Sequence, residues 1–464
     1  MNTSRHGEAD TRFLDVFILV SFLVVSYMYW LGVAPVRYAI AALILIVVAQ
    51  CVIAFERHRD LFHPSVFMLG YLATVALGPI SYMALTGNAL SRVSMGNLED
   101  QTIFVMITAV GAWMTVAAVF SFVRRIDRSD RPATEGSDDG PSKIVESTGR
   151  SLLYVALSLK IAQVSMFSGR RYGEAQTTFD LFSTVSVAAE GLLLVSIAAI
   201  AYGRSRSAQR QLLGGLDWAV LAIIYFLAAA LLGSRSELIA PSLLLLWFYS
   251  RRGRVRIGLL LLSLPLVLFV SNYIGNTRGT ELAGQSALGP VGRWLVDIAS
   301  PVMITNDLVV LRSLSGLPFT LLDTYAAAVQ YMIPGVIARS LFSGTPDTGA
   351  FVYRQVIGYD DPDSGFGFSQ FSEAYLAGGV AGVIVFAAVL SLVSNWSYWR
   401  TSSHATVFSQ LLFPLILSTF PYGLRSDALG FGKSIIYPLI IVSVIAVTAR
   451  TVVGKPAKST GERR

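Results

Sequence analysis

Four arginines have the placement that a phosphate-gripping site on a membrane surface needs. Arg171, Arg235, Arg278 and Arg425 each fall at or near the end of an apolar run, far apart in the chain. A guanidinium is permanently charged and presents a planar fork of N–H donors that matches phosphate bidentately. Several of them gathered at one surface would hold a pyrophosphate. Arg235 opens its apolar run, and the unpaired N–H groups of a helix starting there would add to the attraction for an anion. The structural alternative is that each arginine snorkels to lipid headgroups. That alternative accounts for one such residue more easily than for four.

Carboxylates supply the second kind of chemistry. Glu373 stands in Ser369-Gln-Phe-Ser-Glu-Ala-Tyr375, at the head of an apolar run. A carboxylate at the membrane surface can take the proton of an attacking hydroxyl. The competing reading is an acidic residue favoured at a helix N-terminus by the macrodipole alone. Glu237, two residues after Arg235, can orient that arginine. Lys160 and Glu190 lie inside neighbouring apolar runs, roughly 12 Å from their outer ends at 1.5 Å per residue. An ion pair at matched depth, with a structural role, is the expected arrangement.

Other chemistries are excluded or weakly signalled. Asp360-Asp361-Pro-Asp363-Ser-Gly365 lacks the spacing and closing glutamate of a calcium loop, so no metal site is expected. The single cysteine, Cys51, allows neither a disulfide within the chain nor a cysteine-ligated metal. No P-loop, zinc signature or dinucleotide fingerprint occurs, and no cofactor is expected. The four histidines, His6, His58, His63 and His404, all fall on the cytoplasmic side of the topology below. Chemistry on the outer side therefore has to use carboxylate, arginine or tyrosine.

The elements that position these residues are membrane helices. The chain has 464 residues, 54% hydrophobic and 14% charged, with mean hydropathy +0.60. Soluble domains carry about 25% charged residues. Apolar runs long enough to cross a bilayer recur at 14–33, 38–55, 64–86, 102–123, 151–167, 182–203, 217–233, 234–250, 257–273, 374–395, 405–422 and 434–450. The first reads as a retained span, since it lacks a short apolar core with a cleavage site. The run 234–250 is short and contains Pro241, but the basic block Arg251-Arg252-Gly-Arg254-Val-Arg256 argues for a full crossing. With the N-terminus inside, 23 of the 36 basic residues lie on the cytoplasmic side. Short basic loops set orientation, so both termini are expected in the cytoplasm. The formal charge of +7 belongs to those loops rather than to nucleic-acid binding.

The fold expected is all-α: a polytopic membrane protein of about 12 transmembrane helices with one large external loop containing amphipathic helices. Its regions are 1–273 (spans one to nine), 274–374 (the external loop) and 375–464 (spans ten to twelve and a cytoplasmic tail). Residues 124–150 read as a flexible connector. Within the loop, Val291–Leu314 and Leu321–Ala338 mix apolar residues with Asp297, Asp307, Arg312 and Asp323. That pattern suits helices resting on the outer membrane surface. Gly344–Gly367 is expected to be rich in turns. No internal repeat is visible.

Over residues 225–436 the chain resembles the bacterial O-antigen and exopolysaccharide repeat-unit polymerases of the Wzy type. The likeness rests on Gly233-Ser-Arg235-Ser-Glu237, Asn276-Thr-Arg278-Gly and Tyr331-Met-Ile-Pro334. It rests also on Phe371-Ser-Glu373-Ala-Tyr375-Leu-Ala-Gly378-Gly379-Val-Ala-Gly382 and Tyr422-Gly-Leu-Arg425-Ser-Asp427. In the family an arginine often follows the loop proline; here Gly335 does, and Arg339 comes later. The resemblance implies a glycosyltransferase of the cytoplasmic membrane acting on undecaprenyl-pyrophosphate-linked oligosaccharide, with Arg235, Arg278 and Arg425 steadying the departing pyrophosphate. It implies Glu373 as the base and Tyr375 lining the site; Arg171, Glu237 and Arg339 are further candidate substrate contacts, and a chain-length regulator is a candidate partner beside the lipid bilayer.

Two rivals stay open. An O-antigen ligase uses the same donor with a lipid A core acceptor, but such ligases place a histidine in the external loop and this loop has none. A lipid-linked oligosaccharide flippase would suit the Lys160–Glu190 pair, but transporters commonly show repeated halves and broken helices, which the sequence does not display.

Overall fold

A backbone inside lipid has to satisfy its own polar groups, so the apolar runs become helices. The computed structural model describes residues 3–86, 98–123, 139–167, 181–207, 209, 211–228, 236–252, 294–295, 298–333, 347–357, 368–404 and 406–453. These hold helices α1 (Thr3–Trp30), α2 (Val36–His58), α3 (Leu69–Thr86), α4 (Asp100–Val123), α5 (Asp139–Phe167), α6 (Leu181–Arg206) and α7 (Gly215–Phe226). Then come α8 (Ser236–Arg251), α9 (Ser300–Ser315), α10 (Asp323–Met332), α11 (Gly349–Ile357), α12 (Gln370–Ser403), α13 (Val407–Gly423) and α14 (Ala428–Val453). No strand occurs among the described residues.

Among the described residues six segments are long and apolar enough to cross a membrane: Val36–His58, Pro64–Thr86, Asp100–Val123, Ala188–Arg206, Gln370–Ser403 and Ala428–Val452. Four shorter apolar helices add Leu14–Trp30, Gly215–Phe226, Leu238–Arg251 and Val407–Gly423. The protein is a multi-pass membrane protein. These ten segments coincide with ten of the twelve runs read from the sequence. The run 151–167 falls on α5, whose first half is polar with Lys143, Glu146 and Arg150. The run 257–273 lies outside the described residues.

The chain divides into two compact units. One comprises Met1–Ile126, Gly258–Tyr398 and Phe420–Lys433. In it α1 packs on α2, α2 on α3, α3 on α4, and α4 returns to α1. Gly111 of α4 admits the ring of Phe22, which a Cβ there would meet at 3.1 Å. A π turn, Pro64–Met68, leads into α3. Pro64 sits in its first turn, where no N–H is needed, and His63 Nδ1 accepts the N–H of Ser65 at 3.2 Å. The second unit comprises Asp127–Ile257, Trp399–Thr419 and Ser434–Arg464. Its α5 and α6 approach closely because a Cβ on Gly149 or Gly203 would strike the facing main chain. Glu146 of α5 accepts from Arg204 of α6 at 3.1 Å and pairs with Arg150 at 2.8 Å, while Arg150 also reaches Asp217 of α7 at 3.4 Å.

Two expectations for 274–374 need correction. Helix α9 does not rest on a surface. Residues Ile304 to Leu311 are all buried, the polar Thr305, Asn306 and Asp307 included, and the helix packs against α3 and α4. Its polar residues made it look half-solvated, but each finds a protein partner. Gly344–Gly367 is not turns throughout either: α11 occupies Gly349–Ile357, with Tyr353 turned into the core.

Candidate functional site

The polar residues of α9 organise the first unit. Asn306 Oδ1 accepts the main-chain N–H of Glu99 and the hydroxyl of Thr102, both at 2.9 Å, fixing α9 to the start of α4. Asp307 accepts the hydroxyl of Tyr353 from α11 at 2.6 Å. Burial, followed by the charge of Asp307, pushes the Tyr353 phenol above its ordinary range. Thr305 and Ser372 share a hydrogen bond of 3.2 Å, and Ser372 meets Ser369 at 2.7 Å. Ser369 caps α12 by accepting the N–H of Ser372 at 3.1 Å.

That cap presents Glu373 one residue further on, and its side chain is fully buried. It does not serve its own helix. Oε2 accepts the N–H of Ala428, the first residue of α14, whose N-terminus Asp427 also caps through Gly430 N–H at 2.7 Å. Two carboxylates at one helix start answer the positive end of its dipole. Oε1 of Glu373 and the hydroxyl of Thr324 are both buried and face one another. Thr324 and Tyr325 of α10 lie beside the carboxylate. Gly349 closes over it, since a Cβ there would stand 3.1 Å from Oε1 and 2.9 Å from Phe368. Burial first, then the charge of Glu373, raises the Tyr325 phenol above its ordinary range.

Helix α12 is broken immediately beyond this carboxylate. Gly378 (φ −150°, ψ 21°) and Gly379 (φ 60°, ψ −143°) leave helical geometry, and the φ of Gly379 is one that favours glycine. Residues eight apart in a straight helix lie about 12 Å apart along its axis. Here a Cβ on Gly382 would strike the carbonyl of Ala374, so the two halves turn on one another. The break frees main-chain carbonyls, and protein donors take them. Thr320 N–H bonds to Leu376 O at 3.2 Å and Leu321 N–H to Ala377 O at 3.1 Å. Arg312 donates to Tyr375 O at 3.2 Å, Leu376 O at 3.3 Å and Leu317 O at 3.1 Å. Its guanidinium stacks 3.7 Å from the Phe319 ring centroid and 4.9 Å from that of Tyr375. Burial lowers its pKa, opposed by Tyr375. The sequence reading found no broken helix; the adjacent glycines were its signal.

A sequence profile of the family described as O-antigen polysaccharide polymerase Wzy matches residues 13–288, more than half of the chain. The chain belongs to the Wzy family. No curated protein and no solved structure matches it. The match lies mostly ahead of the 225–436 region in which the sequence likeness was read. It takes in Arg171, Arg235, Glu237 and Arg278, and it ends before Arg339, Glu373, Tyr375 and Arg425.

The residues singled out for a Wzy site are described unevenly. Arg171, Arg235, Arg278 and Arg339 lie outside the described residues, and Glu237 is seen only as a position in the first turn of α8. Glu373 and Tyr375 share the short first half of α12, but the Tyr375 ring packs on Arg312. Arg425 is half-buried in the turn between α13 and α14, its N–H on Tyr422 O at 3.0 Å, near Tyr71, with Nε buried and without a hydrogen-bond partner among the described residues. Sequence reasoning missed Arg312 and Thr324, which no motif marks. Lys160 is buried in α5 and donates to Gln163.

Proposed function

We propose that the protein is a membrane glycosyltransferase that polymerises undecaprenyl-pyrophosphate-linked oligosaccharide repeat units at the outer face of the cytoplasmic membrane, in O-antigen or exopolysaccharide synthesis. The observation that carries this reading is the Wzy family match over 13–288. The terminal sugar hydroxyl of one lipid-linked unit attacks the anomeric carbon of the growing chain. A new C–O bond forms as the bond from that carbon to the pyrophosphate oxygen breaks, and the electron pair leaves with the lipid pyrophosphate. The hydroxyl proton passes to Glu373. A buried carboxyl group with one oxygen held by Ala428 N–H and the other facing the Thr324 hydroxyl supports that role.

Arg235, Arg278 and Arg425 balance the charge developing on the pyrophosphate, and Arg171, Arg339, Glu237 and Tyr375 contribute to substrate binding. The lipid-linked donor carries its own activated bond, so neither a nucleotide sugar nor a cofactor enters. Both termini are placed in the cytoplasm, with the segment 274–374 on the outer side and a chain-length regulator as a further partner. The test is purified protein reconstituted with lipid-linked repeat units. Ladders of longer oligosaccharide are the expected result, and a single unextended product under conditions that keep the protein folded overturns the reading.

The break in α12 favours a transporter, as the Lys160–Glu190 pair does in the sequence, since broken helices line transport sites. Its freed carbonyls at Tyr375, Leu376 and Ala377 are taken by Arg312, Thr320 and Leu321, which removes them as substrate ligands.

A further inference from the structure

The turn between α13 and α14 carries Arg425, and side chains of α3 and α12 hold it at three points. Tyr71 of α3 donates its hydroxyl to Pro421 O at 3.0 Å. Gln370 of α12, a buried residue, donates from Nε2 to Ser426 O at 3.1 Å. Glu373 of α12 accepts the N–H of Ala428. The turn also bonds to itself, with Leu424 N–H on Phe420 O at 3.1 Å, Arg425 N–H on Tyr422 O at 3.0 Å and Ser426 N–H on Gly423 O at 3.2 Å. Those internal bonds are enough to form a turn. The three from α3 and α12 set where it stands.

The main chain is thus fixed on both sides of Arg425, whereas its own Nε is buried with no hydrogen-bond partner among the described residues. Asp427, two residues on, gives Oδ1 to Gly430 N–H. Gln370 and Glu373 are three residues apart and therefore share a face of α12. One face of one helix holds both the proposed base and a grip on the residue that follows Arg425. A cation that meets a developing anion is worth most when it is already in place, and a misplacement of about 1 Å costs on the order of 100-fold in rate.

We propose that Tyr71 and Gln370 are positioning residues, which fix the main chain bearing Arg425 relative to Glu373 so that the guanidinium stands ready for the departing diphosphate. Their part in the reaction is carried through Arg425. This inference rests on the polymerase reading above.

The test uses the full-length protein reconstituted with lipid-linked repeat units, with inorganic pyrophosphate as a competitor. Tyr71→Phe and Gln370→Met each remove one bond to the turn and keep the bulk of the side chain. Each is expected to slow extension by about three- to tenfold and to raise the inhibition constant of pyrophosphate by about threefold or more. An inhibition constant does not depend on how much of the protein is folded, so a loss of stability alone leaves it unmoved. Ser391→Ala is the comparison: it removes a bond from α12 to Trp113 O at 3.0 Å, and should lower the thermal midpoint with the constant unchanged. An unchanged constant in either Tyr71→Phe or Gln370→Met overturns the role of that residue and leaves the polymerase reading standing. An equal rise in Ser391→Ala, or no inhibition of the unaltered protein by pyrophosphate, overturns both roles. Failure of the unaltered protein to form ladders sinks the polymerase reading and this inference with it.

Discussion

Arg312 donates from Nη1 to the main-chain carbonyl of Tyr375 at 3.2 Å, joining two residues 63 positions apart. The bond exists because Gly378 and Gly379 interrupt α12 and leave carbonyls that no helical N–H can reach. A single guanidinium serves three carbonyls and stacks on Phe319, so no other side chain replaces it in full. Arg312→Ala is expected to cost about 2–4 kcal/mol by leaving buried acceptors unpaired. Arg312→Lys should fall between, since an ammonium keeps the charge and loses the fork. Thermal unfolding in detergent orders the three proteins, and equal midpoints would show the break held by something else.

Glu373→Gln separates the chemical from the structural role of this residue. Glutamine keeps an oxygen for Ala428 N–H, so α14 retains its partner and the thermal midpoint should move little. Loss of the proton acceptor should reduce polymer by about 10²–10⁴-fold. Full polymer from Glu373→Gln would reduce the residue to a cap for α14. Arg235→Ala and Arg278→Ala belong in the same series, and polymer of normal length and amount from both would end the pyrophosphate-grip argument.

Tyr353→Phe removes the hydroxyl that bonds Asp307 at 2.6 Å. A buried carboxylate then has one donor fewer, at an expected cost of about 1–3 kcal/mol. The double change with Asp307→Asn should cost less than the sum of the single changes, because the two residues act on one another. Additive midpoint shifts would show the pair to be uncoupled.

Glycine at 382 is required by close approach rather than by its own dihedral angles. A methyl there would meet the main-chain carbonyl of Ala374, which has no rotamer to escape through. Gly382→Ala should therefore force the halves of α12 apart, at a cost of about 1–3 kcal/mol or more, and reduce polymer through Glu373. Normal expression, midpoint and polymer length together would rule out this packing.

Much of the fold was legible because lipid imposes one rule on every span. The run 64–86 coincides with Pro64–Thr86, and 102–123 lies within Asp100–Val123. Helix α9 was misread because sequence shows that Thr305, Asn306 and Asp307 are polar without showing that Ser372, Thr102 and Tyr353 will meet them. Helix α11 was hidden by the Gly, Pro and Asp residues flanking a nine-residue helix. Glu373 could be singled out from its position at the head of an apolar run. Its attachment to α14 could not, since Ala428 lies 55 residues away and contributes only its main chain. Arg312 carried no local mark, because its partners are carbonyls that exist only once α12 is broken.

Asp427 gives stability a pH dependence of predictable sign. Burial raises its carboxyl above the ordinary aspartate range, against the opposing effects of Gly430 N–H, Lys433 and Arg354. The folded protein therefore binds this proton more tightly than the unfolded chain does. Stability from this group is fully present below the unfolded value, about pH 3.9, and is lost as pH rises through the folded value. Asp427→Asn keeps an oxygen for Gly430 N–H and removes the titration. The difference in thermal midpoint, unaltered protein minus Asp427→Asn, should fall as pH rises from about 4 toward neutrality. A difference that is flat, or that rises with pH, would mean that Lys433 and Arg354 outweigh burial at this carboxylate.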